Sequence, residues 1–311
     1  MDKELTNNTL HSVFYIFAFS TSEIGRIMIL AAVLLIYFII LSGNLLIITL
    51  ICLDPRLSTP MYLFLCNLST LDILYVSTTL PKLIYICHTG DHLMSHPTCL
   101  AQLYLYLWFG NTEAYLLTAM AIDRYVAVCF PLHYSLIMSK RVCVLLAFPA
   151  WFMSAINASI MTSLSYNLKF FAVVKVRNFF CDIKALITAA INDTKPLWKL
   201  IFVNTVTVSL IPTSLIFASY TCIICTVLKI KSSVGRWKTF SSCSSHITIV
   251  VLYFGSAISL YMTHSLEQDV VLTVIFVTLV PMLNPLVYSL RNKDIKQAIR
   301  LIIHRKTSSL L

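Results

Sequence analysis

The chain has 311 residues, 58% of them apolar and only 12% charged, and a formal net charge of +10 at pH 7. Globular domains carry about 25% charged residues, so this balance excludes an ordinary soluble domain and points to a membrane. Anionic inner-leaflet lipid accounts for much of the basic excess, which is therefore no sign of nucleic-acid binding.

Spanning a bilayer with a helix takes about 20 apolar residues. In chain order the spans are predicted at residues 27–51, 60–81, 97–123, 141–164, 198–228, 238–263 and 270–290. Residues 27–51, 142–164, 200–228 and 270–290 contain no Asp, Glu, Lys or Arg. The other three spans are interrupted by Asp72, Glu113 and His246. The predicted fold is an all-α membrane protein, one seven-helix bundle over residues 1–311. No linker, low-complexity tract or repeat divides it.

Residues 1–26 read as a tail without the continuous apolar core of a signal peptide, so the first span acts as the signal. Asn7-Asn8-Thr9 is a glycosylation sequon on that tail, and Asn192-Asp193-Thr194 is a second candidate. Asn67 and Asn157 also match but fall within spans, where they stay unmodified. After the seventh span, Ile295, Ile299 and Ile302 recur at helical spacing, with Lys293, Lys296 and Arg300 elsewhere around the helix. That pattern predicts a short amphipathic helix lying on the membrane surface within the tail 291–311.

An odd number of spans puts the termini on opposite sides. Arg56, Lys140, Arg141, Lys229, Lys231, Arg236 and Lys238 follow the first, third and fifth spans, and the basic tail joins them. The last connection on the other side carries Glu267 and Asp269. Basic loops stay in the cytoplasm, so the N-terminus is placed outside and the C-terminus inside a cell membrane. The long connection 165–197 is basic too, but long loops follow that rule weakly.

Of the ten cysteines, only Cys87, Cys99 and Cys181 lie at or near the oxidising face. A bridge from Cys99 to Cys181 would pin the long connection over the bundle and stabilise it by about 4 kcal/mol. Spacing alone leaves Cys87 as a rival partner.

An ionisable group inside hydrocarbon costs at least about 2.5–3.5 kcal/mol, so each one needs an account. Asp72 and Glu113 lie mid-span, with Asn44 and Asn284 at similar depth as polar partners. A cation or proton between the two acids is one reading; a static hydrogen-bond network is the other, and both stay open. Asp123-Arg124 sits near the inner end of the third span, as a helix-end arginine snorkelling to the interface or as a working part. His246 and His264 are isolated and read as structural. No nucleophile–base order and no phosphate-binding glycine loop occurs, so the residues give no support for an enzyme.

Six stretches then occur in order: GN at 43–44, PMYLFLCNLSTLD at 60–72, MAIDRYVAVCFPLHY at 120–134, SY at 219–220, FSSCSSHITIVVLYFG at 240–255 and PMLNPLVYSLRNKDIKQA at 281–298. Together they resemble the vertebrate olfactory receptors, rhodopsin-like seven-helix receptors coupled to G proteins. The PLHY ending is similar to the tetrapod-type, class II members. The resemblance implies the Cys99–Cys181 bridge and a sodium site at Asp72 and Glu113, with no other cofactor. It implies a G-protein switch of Asp123, Arg124 and Tyr125, with Tyr220, Asn284, Pro285 and Tyr288. It places Phe254 as a lever beneath the pocket, where many relatives have tyrosine. One departure stands out: the family's second pair of outer-loop cysteines is replaced by Phe171 and Ile191, which implies a less constrained loop.

The resemblance further implies a ligand pocket among the outer halves of the third, fifth and sixth spans. Tyr106, Leu107, Gly110 and Asn111 would line it from the third, Asn204, Thr205 and Val208 from the fifth, and Phe254, Ala257, Ile258 and Tyr261 from the sixth. No Asp or Glu is available there to hold an amine, so the expected ligand is a small, neutral, largely apolar odorant. Lys184, near Cys181, leaves an acidic ligand as the other reading. The expected partner inside is the stimulatory olfactory-type heterotrimeric G protein, which raises cyclic AMP. A receptor for a non-odorant ligand and a transporter or channel are the competing classes; Asp72 with Glu113 is all the polar path the spans offer the latter.

Overall fold

The computed structural model describes residues 13–17, 22–262, 266–291 and 295–300, the side chains of 238, 241–242, 260–262, 266–272 and 288–291 excepted. In chain order its elements are β1 (Val13–Ile16), α1 (Glu23–Leu53), α2 (Pro60–Thr89), β2 (Leu93–Ser95), α3 (His96–Cys129), the single turn α4 (Tyr134–Ile137) and α5 (Lys140–Tyr166). Then follow β3 (Val173–Val176), the short α6 (Ile183–Ala189), α7 (Lys195–Leu228), α8 (Ser233–Met262) and α9 (Leu266–Arg291).

Local chemistry sets several helix ends. Ser22, Ser95 and Ser139 each accept a hydrogen bond from a backbone N–H in the first turn of the helix that follows, which satisfies a donor the helix cannot. α2 ends at Gly90, whose φ of +76° suits a residue without Cβ.

The helices are apolar nearly all round. Phe38, Leu145 and Phe217 are 69%, 69% and 73% exposed, an arrangement water would penalise and lipid tails do not. By length and composition alone α1, α2, α5 and α7 qualify as spans, and α3 does so together with the turn after it. α8 and α9 carry more polar groups, and His246 and Asn284 among these are buried within the bundle.

α3 is the central element, packed against α2, α5, α7 and α8, while α1 packs on α2 and α9. The α1–α9 contact has a readable cause. Pro285 has no N–H, so the Pro281 carbonyl one turn earlier loses its helical partner. Asn44, fully buried, donates from Nδ2 to that carbonyl at 3.1 Å, and to Ile40 O at 3.0 Å. Gly43 lets the helices approach, since a Cβ there would lie 3.1 Å from Pro285 Cγ. Asn44 therefore partners the backbone of α9 rather than Asp72.

At one end of the bundle a three-stranded sheet runs in the order β2-β1-β3. β1 pairs antiparallel with β2, Val13 opposite Ser95, and parallel with β3, Val13 opposite Val173. The expected tail 1–26 thus contains a strand at Val13–Ile16. Four residues cannot hold a strand alone, and only the neighbouring strands, distant in sequence, supply the pairing. Phe14 and Ile16 are fully buried, and His92 Nδ1 donates to Ile16 O at 2.7 Å.

The Cys99–Cys181 disulfide joins α3 to the β3–α6 segment across a Cα separation of 5.4 Å. Cys87 is a free, buried thiol, so the alternative pairing is not made. Residues 295–300 are helical, with Ile295 and Ala298 buried and Lys296 and Arg300 exposed. Lys293 and Ile302 lie outside the described residues.

Candidate functional site

Toward the sheet end, α2, α3, α7, α8 and α9 enclose a cavity of about 70 Å³. Tyr106, Leu107, Gly110 and Asn111 line it from α3, Asn204, Thr205 and Val208 from α7, and Phe254 and Ala257 from α8. Ile258, expected among them, is 47% exposed and does not line it. It follows Phe254 by four residues and so lies about 40° from it around α8, at the edge of the lining face on the side away from Ala257. The Tyr261 side chain lies outside the described residues. Tyr75, Ala114, Ser209, Tyr253 and Phe276 complete the wall. Ala114 and Ser209 follow Gly110 and Thr205 by four residues, a helical signal the sequence carried. Nothing in the sequence points α2 or α9 at this space.

The wall is held by polar contacts between helices. The Tyr253 hydroxyl donates to Gly110 O at 2.7 Å. Asn111 Nδ2 donates to Asn157 Oδ1 at 2.9 Å, and Asn157 Nδ2 donates to Asn204 Oδ1 at 2.5 Å, which strings α3, α5 and α7 together. Tyr75 stacks on Tyr106 at a centroid distance of 5.5 Å, and Tyr106 packs against Phe180 at 4.6 Å. Among the described residues, no Asp, Glu, Lys, Arg or His lines the cavity.

Over the cavity, Cys181 N donates to Gln102 Oε1 at 2.9 Å. Asp182 caps α6, its Oδ2 accepting from Lys184 N at 3.2 Å, while its buried Oδ1 has no partner. Burial raises the Asp182 carboxyl to about 6, against the lowering pull of the α6 backbone N–H groups. Lys184 sits in α6 beside Asp182 and does not line the cavity. Phe171 and Ile191, in place of the expected cysteine pair, are 57% and 43% exposed. Ile191 N donates to Lys169 O at 2.9 Å and Lys169 N to Asn192 Oδ1 at 2.9 Å. Those bonds, with β3 and the disulfide, are what tie this loop where the second cysteine pair is replaced.

Deeper in the bundle Asn284 Nδ2 donates to both Asp72 oxygens, at 2.9 and 3.1 Å. Glu113 neighbours Asp72 and Asn284, and Glu113 Oε1, Asn284 Oδ1 and Ser69 Oγ are buried without a partner. This is a set of hard oxygen donors with unspent lone pairs, the donor chemistry an alkali cation takes and a thiolate or imidazole metal does not. Among the described residues no group of three or more His, Cys, Asp or Glu forms a transition-metal site.

At the end opposite the sheet, Arg124 Nη2 donates to Asp123 Oδ2 at 3.1 Å, and the Tyr134 hydroxyl donates to Oδ1 at 2.7 Å. Asp123 is 1% exposed, so its second oxygen needs that hydroxyl. Burial first, and the Asp123 carboxylate second, raise the Tyr134 phenol, which keeps it protonated as a donor. Tyr125 packs edge-on against Phe130 at 5.7 Å. Between these two regions, His246 Nε2 meets Leu117 O at 3.0 Å and Nδ1 meets the Tyr220 hydroxyl at 2.7 Å. A carbonyl only accepts, so Nε2 carries the proton, and in the neutral ring Nδ1 accepts from Tyr220. His246 therefore links α3, α7 and α8, the structural role expected of it. Pro285 is buried in α9 beside Gly43; the Tyr288 side chain, like Asn7, lies outside the described residues.

This sequence is similar to olfactory receptor 1E1 of Homo sapiens, 44% identical over 280 residues that cover 89% of each chain. It is 40% identical to olfactory receptor 1496 of Rattus norvegicus over 303 residues, 96% of this chain and 98% of the relative. The sequence profile of the olfactory receptor family matches residues 33–306. The chain belongs to the olfactory receptor family. It is accordingly a multi-pass membrane receptor of the G-protein-coupled class and not an enzyme, with an odorant and a G protein as its general partners. Two contacts of this olfactory receptor escaped the sequence reading. Tyr134 ends the quoted 120–134 motif with no role assigned to it, and Asn157 was met only as a sequon.

Proposed function

We propose that this receptor binds a small, neutral, largely apolar odorant in the cavity among α3, α7 and α8, and in response activates a stimulatory heterotrimeric G protein that raises cyclic AMP. The observation that carries the ligand class is the cavity wall, which combines aromatic and aliphatic groups with amides and hydroxyls and, among the described residues, has no charged member. A charged ligand would lose its hydration there with no counter-ion in return. The orientation proposed has the sheet end outside the cell, with the basic loops and tail facing anionic lipid inside. Asn7, and Asn192 beside the sheet end, are the proposed glycan acceptors; Asn192 spends its carbonyl oxygen on Lys169 and keeps its amide nitrogen out of that bond.

A ligand that binds the active arrangement more tightly shifts the population toward it. In that arrangement α8 moves away from α3, Arg124 leaves Asp123, and the surface that includes Tyr125 meets the G protein. Tyr220 with His246, and Asn284 with Pro285 and Tyr288, are the positions where the bundle would repack; the missing N–H at Pro285 gives α9 its weak point. Asp72 and Glu113, with Ser69 and Asn284, would hold a sodium ion, whose positive charge would offset the repulsion of two buried carboxylates.

The test is a cell-based cyclic AMP assay against a panel of neutral volatiles, amines and carboxylic acids at matched surface expression. Responses confined to neutral compounds support the reading. Activation by carboxylic acids alone would instead assign recognition to the basic outer loop.

A further inference from the structure

We propose that Asn157, which does not line the cavity, is a positioning residue that makes the receptor selective for neutral hydroxyl-bearing ligands over their carbonyl analogues. The inference rests on reading the cavity as the ligand site and names the ligand chemistry that site requires.

A side-chain amide offers a carbonyl that accepts and an NH₂ group that donates. When the middle of three amides meets one neighbour through its oxygen and the other through its nitrogen, the two hydrogen bonds run in the same direction. Here Asn111 donates to Asn157 and Asn157 donates to Asn204. Asn157 thus has one partner at its carbonyl and one at its amide nitrogen, both on other helices. The two ends are different. Asn111 has given one of its two N–H donors to the chain and none of its carbonyl lone pairs; Asn204 has given one carbonyl lone pair and neither of its N–H donors. Both ends, and not the middle, line the cavity. Reversing all three amides exchanges the ends and leaves the same result, one acceptor on one helix and one donor on the other.

The chain is also obligatory. Amides placed in an apolar bundle incur a desolvation cost unless they are bonded, so the three side chains have strong reason to stay in register. Asn157 therefore determines that Asn111 and Asn204 present opposite polarities, a single amide apart. Without it each amide is free to rotate, and the cavity has no fixed polarity.

Among small neutral odorants a hydroxyl matches such a pair. A hydroxyl donates to the free carbonyl and accepts from the free N–H. An aldehyde or ketone of the same length can only accept, and leaves the carbonyl on the wall unpaired, which is where discrimination arises.

The experiment compares hexan-1-ol with hexanal in the cyclic AMP assay, with surface receptor measured by antibody labelling. Wild type is expected to respond to hexan-1-ol at about a tenfold lower concentration than to hexanal, the size of one hydrogen bond lost from a buried partner. Asn157→Leu is expected to bring the two concentrations to within about twofold of one another at unchanged surface level. Asn157→Gln, which retains the amide, is expected to keep the order. Should the leucine variant fail to reach the surface, Asn157→Val provides the same comparison with less bulk. A purely structural role for Asn157 shifts both probes equally and overturns the proposal, as does a wild type that favours hexanal or treats the two alike. Silence of a surface-expressed wild type to both probes and to all other neutral volatiles overturns the neutral-ligand reading itself, and this inference with it.

Discussion

Asp123 accepts from a guanidinium on its own helix and from a phenol contributed by the turn after it. With the carboxylate 1% exposed and the Arg124 side chain 16% exposed, the ion pair is better shielded from solvent than a surface pair and holds Arg124 against the bundle. Asp123→Asn removes the charge and keeps the shape. It is expected to raise ligand-free cyclic AMP several-fold, because a charge-assisted bond contributes about 1.5–3 kcal/mol, an upper bound where the arginine is partly solvated. Arg124→Ala is expected to abolish the agonist response at equal surface expression. An Asp123→Asn receptor with wild-type basal output would show that the pair does not restrain signalling.

At the scale of elements, what holds the bundle is the repair of defects that helices create. Proline at 285 leaves the Pro281 carbonyl unpaired, and Asn44 on another helix supplies the donor. Asn44→Leu therefore strands a buried acceptor and is expected to cost about 1–3 kcal/mol, read as a lower melting temperature of the purified receptor. The α6 cap poses a comparable problem for a carboxylate. Burial raises Asp182 to about 6 from its ordinary 3.8, so the folded state holds this proton more tightly than the unfolded chain. Its contribution to stability is then full below about pH 4 and is lost as the pH rises through about 6. Asp182→Asn stays neutral and remains a good cap. Relative to that variant, the wild type is expected to lose melting temperature between pH 5 and 7; parallel curves would show that Asp182 does not titrate there.

At the scale of the whole molecule, the sodium site proposed at Asp72 and Glu113 would make stability depend on ions. Replacing choline chloride with sodium chloride at constant ionic strength is expected to raise the melting temperature, and Asp72→Asn to abolish the rise. Equal melting temperatures in both salts would assign the cluster to a static hydrogen-bond network.

Seven apolar stretches, the polar residues that interrupt them and the ordered motifs were legible in sequence, because the thickness of a bilayer imposes a length and composition on every span whatever it packs against. Helical spacing also put Tyr106 with Gly110, Leu107 with Asn111 and Asn204 with Val208 on shared faces, in spans that the resemblance had singled out. Legibility stopped where a residue's role depends on a helix far away in the chain. Val13–Ile16 is a strand only because Leu93–Ser95 and Val173–Val176 lie on either side of it. His246 is a link only because Leu117 and Tyr220 come within reach, and Asn157 only because it falls between two other amides. The sequence alone determined a membrane bundle, since the cost of exposing polar groups to lipid is paid residue by residue, and its six ordered motifs carried the resemblance to the olfactory receptors. The tertiary structure decided which polar groups meet inside it, because a hydrogen bond depends on distance and direction between helices, which no spacing along one chain records.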